Sequence, residues 1–218
     1  DTNGSSDIFV HDIRTGTTRR ISLNSTGGQI SFGSYGVDIS ADGRYATFTS
    51  NSAGIVPNDT NGYDDIFRHD IQTGETVRVS VASNGTQGDG ISGSSSISAD
   101  GRHIAFESSS KDLVSDDTNY MSDIFVHDMQ TGLTERVSVS SSGTQGTAWS
   151  HDPSISADGR FIAFYSLAFQ LVSGDTNNKE DIIVHDMQTG ATTRISVDSN
   201  GVQSNNTSYG PSISADGQ

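Results

Sequence analysis

Asp59-Thr60-Asn61-Gly62-Tyr63-Asp64-Asp65-Ile66-Phe67-Arg68-His69-Asp70 decides the fold, because the chain writes this stretch four times. Asp-Thr-Asn stands at 1–3, 59–61, 117–119 and 175–177. The apolar run that follows it begins at Asp7, Asp65, Asp123 and Asp181 and ends in His-Asp at residues 12, 70, 128 and 186. The copies lie 58 residues apart with no insertion. A constant period marks stacked copies of one supersecondary unit. Residues 1–218 therefore read as a single repeat array, with units starting at 1, 59, 117 and 175.

The third unit gives the unit's plan. Pro153–Ser156 is short and extended, and Ala157-Asp158-Gly159-Arg160 forms a tight turn. Asp-Gly between two strand-like runs is a hairpin signal, because glycine accepts the positive φ such turns need. Phe161–Tyr165 is rich in aromatic and branched residues and reads as the second strand. A loop over Leu167–Lys179 leads to the third strand, Asp181–Asp186. Gln188-Thr189-Gly190 turns the chain into a fourth, Thr192–Val197. Four antiparallel strands repeated in tandem make an all-β chain of β-propeller blades. A solenoid of parallel rungs fits less well, since two hairpin turns per unit require antiparallel neighbours. Hydrophobic residues make up only 31% of the chain, which suits a thin core shared by many short strands.

Ser-Ala-Asp-Gly-Arg before an apolar strand, followed by Asp-Ile-Phe-Val-His-Asp-x-x-Thr-Gly, resembles the repeat of TolB-like propellers, and the pattern runs through all four units. The usual proline before the Asp-Gly turn is alanine here, at Ala41, Ala99, Ala157 and Ala215. The resemblance implies a binding or scaffolding propeller that is exported. It places the protein outside the cell, at the cell surface or in the periplasm.

The ends do not complete a whole number of units. The chain opens on a third and fourth strand (7–23), continues through three complete blades and closes on a lone first strand at 212–214. The blade shared by the termini lacks its second strand. Either a longer parent chain or another molecule is expected to supply it, because an open strand edge is a template for pairing. Near-identical units meeting through such edges would give a homo-oligomeric ring or a filament. A self-assembling structural protein is therefore the alternative to a binding module.

A net charge of −15 repels nucleic acid and anionic lipid. The chain has no cysteine, and no apolar run long enough for membrane insertion. The charge is concentrated in the Asp-Thr-Asn loops. Asp1, Asn3 and Asp7 are spaced to wrap a hard cation, as are Asp59, Asn61 and Asp65, then Asp117, Asn119 and Asp123, and finally Asp175, Asn177 and Asp181. Calcium accepts six to eight oxygen ligands in flexible geometry, and carboxylates unneutralised by lysine or arginine favour it. The competing reading is an Asx-turn, in which Asp and Asn bond their own backbone two residues on.

The long connections between second and third strands, and between one unit and the next, share one face of a propeller. They carry Tyr35, Tyr63, Tyr120, Trp149 and Tyr209. Aromatic loops of this kind bind a protein or a glycan, or they cover gaps between blades. His11, His69, His127 and His185 occupy one slot on four different blades, so a structural role between blades is expected. Enzyme signatures are absent, and the acidic residues that depart from the repeat (Asp89, Glu107, Asp112 and Asp152) form no recognisable set. The sequence thus points to an extracellular, calcium-ordered propeller that binds a partner on its loop face, and not to an enzyme.

Overall fold

A computed structural model describes residues 2–24 and 26–217. The strands are β1 (Phe9–Asp12), β2 (Thr17–Arg20), β3 (Ser34–Ile39), β4 (Tyr45–Ser50), β5 (Asp65–Asp70), β6 (Thr76–Arg78), β7 (Ser92–Ile97), β8 (His103–Ser108), β9 (Asp123–Asp128), β10 (Thr134–Arg136), β11 (Ser150–Ile155), β12 (Phe161–Ser166), β13 (Asp181–Asp186) and β14 (Thr192–Arg194). They form three four-stranded sheets, β3–β6, β7–β10 and β11–β14, and one two-stranded sheet, β1–β2. All pairings are antiparallel and sequential. The predicted blades are therefore present. Among the described residues no helix is long and apolar enough to cross a membrane.

Side chains of the repeat build the turns. At the Asp-Gly hairpin, Asp42 accepts hydrogen bonds from Ser40 Oγ at 2.6 Å and from the Arg44 amide at 2.9 Å. At the second hairpin, Asp70 accepts from the amides of Gln72 and Thr73, and the Arg44 guanidinium lies 2.8 Å away. Burial disfavours the Asp70 carboxylate, but Arg44 and the two amides outweigh it and hold its pKa near 2. Phe48 stacks on Phe67 with ring centroids 5.6 Å apart, and Phe106 stacks on Phe125 at 5.9 Å. These buried pairs cross adjacent middle strands, where each adds about 0.5–1.5 kcal/mol beyond its area.

The blades lock to one another at fixed slots. Ala41 donates its amide to Ala99 O at 3.0 Å, and Ala99 in turn to Ala157 O at 2.9 Å. The turn glycine of one blade sits against the second strand of the blade before it. A Cβ on Gly159 would lie 2.4 Å from His103 Nδ1, and its φ of +76° already disfavours any side chain. Along the first strands, Ser96 donates to Asp38 Oδ2 at 3.2 Å and accepts from the Ile155 amide at 3.3 Å. These contacts place β3, β7 and β11 side by side as the inner ring.

Several expectations change. The first strand starts earlier, at Ser150, not Pro153. It contains a bulge that shifts register between His151 and Ser154. The fourth strand is shorter, ending at Arg194. Ser196 is the cause: its Oγ, and not a backbone carbonyl, accepts the Ile182 amide at 3.2 Å. The chain then pinches in an Ile195–Val197 turn and rejoins through a Val197–Gln203 bridge. Residues 212–214 are not a strand. They dock on the third blade, with the Ile213 amide donating to Ser154 Oγ at 3.2 Å.

The histidines are structural but bond within their own blade. His127 Nδ1 meets Thr134 Oγ1 at 2.8 Å, and that hydroxyl donates its single proton to Val81 O of the preceding blade. The Nδ1 must therefore carry the proton in this pair. Burial pushes the pKa of His69, His127 and His185 down.

Candidate functional site

The Asp-Thr-Asn loop is a closed polar box. Asn61 Oδ1 accepts from the Tyr63 amide at 2.9 Å, which is an Asx-turn. Asn3, Asn119 and Asn177 repeat it with the amides of Ser5, Met121 and Lys179. Asn61 Nδ2 donates to Gly88 O at 3.0 Å, and Gln87 Nε2 donates to Asp59 Oδ1 at 3.2 Å. The loop is thereby tied to the one that leads into the next blade. Asp65 is fully buried and accepts the Ser80 hydroxyl at 2.5 Å. Asp1 lies outside the described residues, but Asp7 keeps the same arrangement with Ser22.

These carboxylates are not left unneutralised, as the sequence reading supposed. The last residue of each fourth strand is an arginine that enters the box. Arg20 lies 2.8 Å from Asp7. Arg78 lies 3.4 Å from Asp59 and 3.5 Å from Asp65. Arg136 lies 3.6 Å from Asp117 and 4.0 Å from Asp123, and Arg194 lies 3.9 Å from Asp175 and 3.5 Å from Asp181. A guanidinium thus stands beside the oxygens proposed as calcium ligands. Among the described residues, Arg78 Nε, Arg136 Nη1 and Asp181 Oδ2 meet their partners only at these ion-pair distances, and Asp59 Oδ2 makes no hydrogen bond. A group that meets donors and acceptors together is water, which bridges polar atoms held beyond direct contact. A cation serves only the acceptors. Burial pushes the Asp65 carboxyl up to about 6, with the Asp59 charge adding to it, against the pull of Ser80 and Arg78.

The aromatic residues separate in the structure. Tyr35, Tyr63, Tyr120 and Tyr209 are exposed, whereas Trp149 is half-buried. Its ring lies 4.8 Å from that of His151 and edge-on to Tyr165 at 6.0 Å. Tyr35 reaches Asp64 of its own blade, and burial with that hydrogen bond raises its pKa to about 12.

Trp149 belongs to a cluster in which the repeat is broken. Glu107, on β8, extends across to the next blade. Its Oε2 lies 3.0 Å from His151 Nδ1 and 3.4 Å from the Asp152 amide. Burial raises the Tyr165 pKa, and the charges of Asp152, Glu107 and Glu180 raise it further. Asp152 sits at the bulge of the inner strand with φ +48°, and Ser94 holds the same slot one blade earlier with φ +49°. Gly36 (φ +62°) and Gly210 (φ +64°) hold this slot in the other units, so the left-handed bulge belongs to the repeat, and the serine and aspartate bear the strain that glycine avoids. Of the four nonperiodic acids, Glu107 and Asp152 meet here, while Asp89 and Asp112 meet elsewhere, around Ser110. The sequence did carry a signal. One slot reads Tyr35, Gly93, His151 and Tyr209, and another reads Thr49, Glu107 and Tyr165.

No family model matches the chain, and no curated protein matches it. Solved structures do. TolB from Acinetobacter baumannii is similar over 97% of this chain and 41% of its own, at 17% identity and a TM-score of 0.55. A putative TolB from Agrobacterium tumefaciens is similar over 88% of this chain and 57% of its own, at 22% identity and a TM-score of 0.56. The tricorn protease is similar over 97% of this chain and 18% of its own, at 15% identity and a TM-score of 0.52. The chain thus spans less than two thirds of each of them. At these identities the likeness is one of fold, and the fold is that of TolB-like β-propellers.

Proposed function

We propose that this propeller is a binding module, working in the periplasm or outside the cell, whose partner docks at the junction of Glu107, Trp149, His151 and Tyr165. The observation that carries this reading is the break in periodicity. Residues that recur in every unit maintain turns and blade contacts. The four named here do not recur, yet they converge from two blades on one spot. Loops and strand ends on a rigid scaffold are where propellers and other repeat folds display binding residues.

Arrayed peptides and oligosaccharides, probed with the wild-type protein and with Glu107→Gln, test the reading. A ligand held by the wild type and lost by the variant supports it. A ligand held equally by both places the binding face elsewhere.

For the Asp-Thr-Asn loops, the proposal is that arginine pairing, not calcium, orders them. Thermal unfolding with chelator and with added calcium decides between the two. An unchanged melting temperature is expected. A fall on chelation that calcium reverses and sodium does not would restore the metal reading.

A further inference from the structure

The partner's chemistry can be narrowed, on the premise that the junction around Glu107 is the binding site. We infer that the space beside Gly93 receives a cationic side chain, an arginine or a lysine of a protein partner. Gly93 is the cross-strand neighbour of Glu107. A Cβ built on Gly93 meets nothing within 4 Å. The equivalent slots carry rings at Tyr35, His151 and Tyr209, so the blade has room for a large group here, and this chain supplies none. Without a side chain opposite it, Glu107 is free to reach His151 on the next blade.

The groups gathered around Glu107 and His151 are acidic and aromatic. Glu107 uses Oε2 for His151 and the Asp152 amide. Its Oε1 accepts no hydrogen bond from the described residues. Among the described residues, the Asp152 carboxylate accepts a hydrogen bond from the Ser94 hydroxyl alone, at 3.4 Å. Trp149 and Tyr165 stand behind His151. A cation is favoured by carboxylates and by aromatic faces alike.

Eight of the chain's ten arginines are engaged elsewhere, and the other two, Arg14 and Arg19, lie on the turn and second strand of the β1–β2 hairpin. Arg44, Arg102 and Arg160 hold Asp70, Asp128 and Asp186, while Arg20, Arg78, Arg136 and Arg194 sit in the Asp-Thr-Asn boxes. Arg68 lies over Tyr45 and donates to Gly101 O. The junction therefore offers carboxylates, one of them held by a histidine, with open space beside Gly93, which fits a guanidinium or ammonium group and not a carboxylate or phosphate.

The chain has one tryptophan, Trp149, so its fluorescence reports on this site alone. The probes are three blocked tripeptides, glycine-X-glycine, with X as arginine, lysine or the neutral isostere citrulline. A neutral oligosaccharide series is titrated in parallel. Saturable fluorescence changes are expected with arginine and lysine, at least tenfold weaker with citrulline. Glu107→Gln and Gly93→Tyr should each weaken the response at least tenfold, with circular dichroism confirming the fold. Gly93→Tyr leaves the charge intact and only fills the space, so it separates a site from general attraction to an acidic protein. Citrulline binding as well as arginine overturns the cationic assignment. An oligosaccharide that saturates and is lost in Gly93→Tyr overturns the cation but keeps the junction as the binding site. No saturable change with any probe, or responses indifferent to Gly93→Tyr, overturns both.

Discussion

Asp123 and Glu107 are carboxylates on neighbouring strands of one blade, and the protein treats them in opposite ways. Asp123 is fully buried beside Arg136, takes the Ser138 hydroxyl and has counterparts in every unit. Glu107 is part-exposed, meets a histidine from the next blade and has Thr49 and Tyr165 in its equivalent slots. The contrast separates two uses of the same chemistry. A charge that must be buried to pin a loop needs its countercharge in the same repeat, so duplication copies both. A charge kept for a ligand has no such requirement, and only one blade needs to carry it.

The largest effect that would break this contrast concerns the box. In Arg136→Leu, the side chain removed is only 3% exposed, and its loss leaves Asp117 and Asp123 without their cation. Stripping one partner from a buried pair costs about 3–5 kcal/mol, measurable by urea unfolding.

A second test uses pH. The folded pKa of Asp65 is about 6, above its ordinary value of 3.8. Its contribution to stability is therefore full below about pH 3.8 and is lost as pH rises through about 6. His69, His127 and His185 have the opposite sign: their pKa is lowered, so their contribution is present above about pH 6.5 and lost on acidification. Comparing the wild type with Asp65→Asn cancels the histidines. From pH 7 to pH 4 the wild type should gain about 2–3 kcal/mol relative to the variant, at about 1.4 kcal/mol per pKa unit.

Two glycines sharpen the comparison at a smaller scale. Gly159→Ala forces a Cβ against His103 at a positive φ and should cost about 1–3 kcal/mol. Gly93→Ala enters open space in a strand and should be neutral or stabilising by up to about 1 kcal/mol. Denaturant midpoints of the pair check both signs.

Much of the frame was legible in the sequence, because its signals are local. Asp181–Asp186 lies where its apolar run places it, and the Asp-Gly turns lie where glycine was needed. The fourth strand was overextended because Ile195 and Val197 alternate correctly, while the interruption comes from the Ser196 hydroxyl, which no periodicity reports. The arginine of each box also recurs faithfully. Its partner lies across a strand pair, however, so pattern alone left the carboxylates unmatched. The Glu107 junction was hidden for a different reason. Glu107 and His151 are 44 residues apart, less than one period, so comparing equivalent slots never sets them side by side.

The most direct test is to measure unfolding free energy and the Trp149 ligand response together on two variants, Arg136→Leu and Glu107→Gln. The account predicts a double dissociation. Arg136→Leu loses about 3–5 kcal/mol yet, while folded, keeps the ligand response. Glu107→Gln changes stability by less than about 1 kcal/mol, as a part-exposed pair should, and loses the response. Equal losses of stability in the two variants, or an intact response in Glu107→Gln, would contradict the division between frame and site.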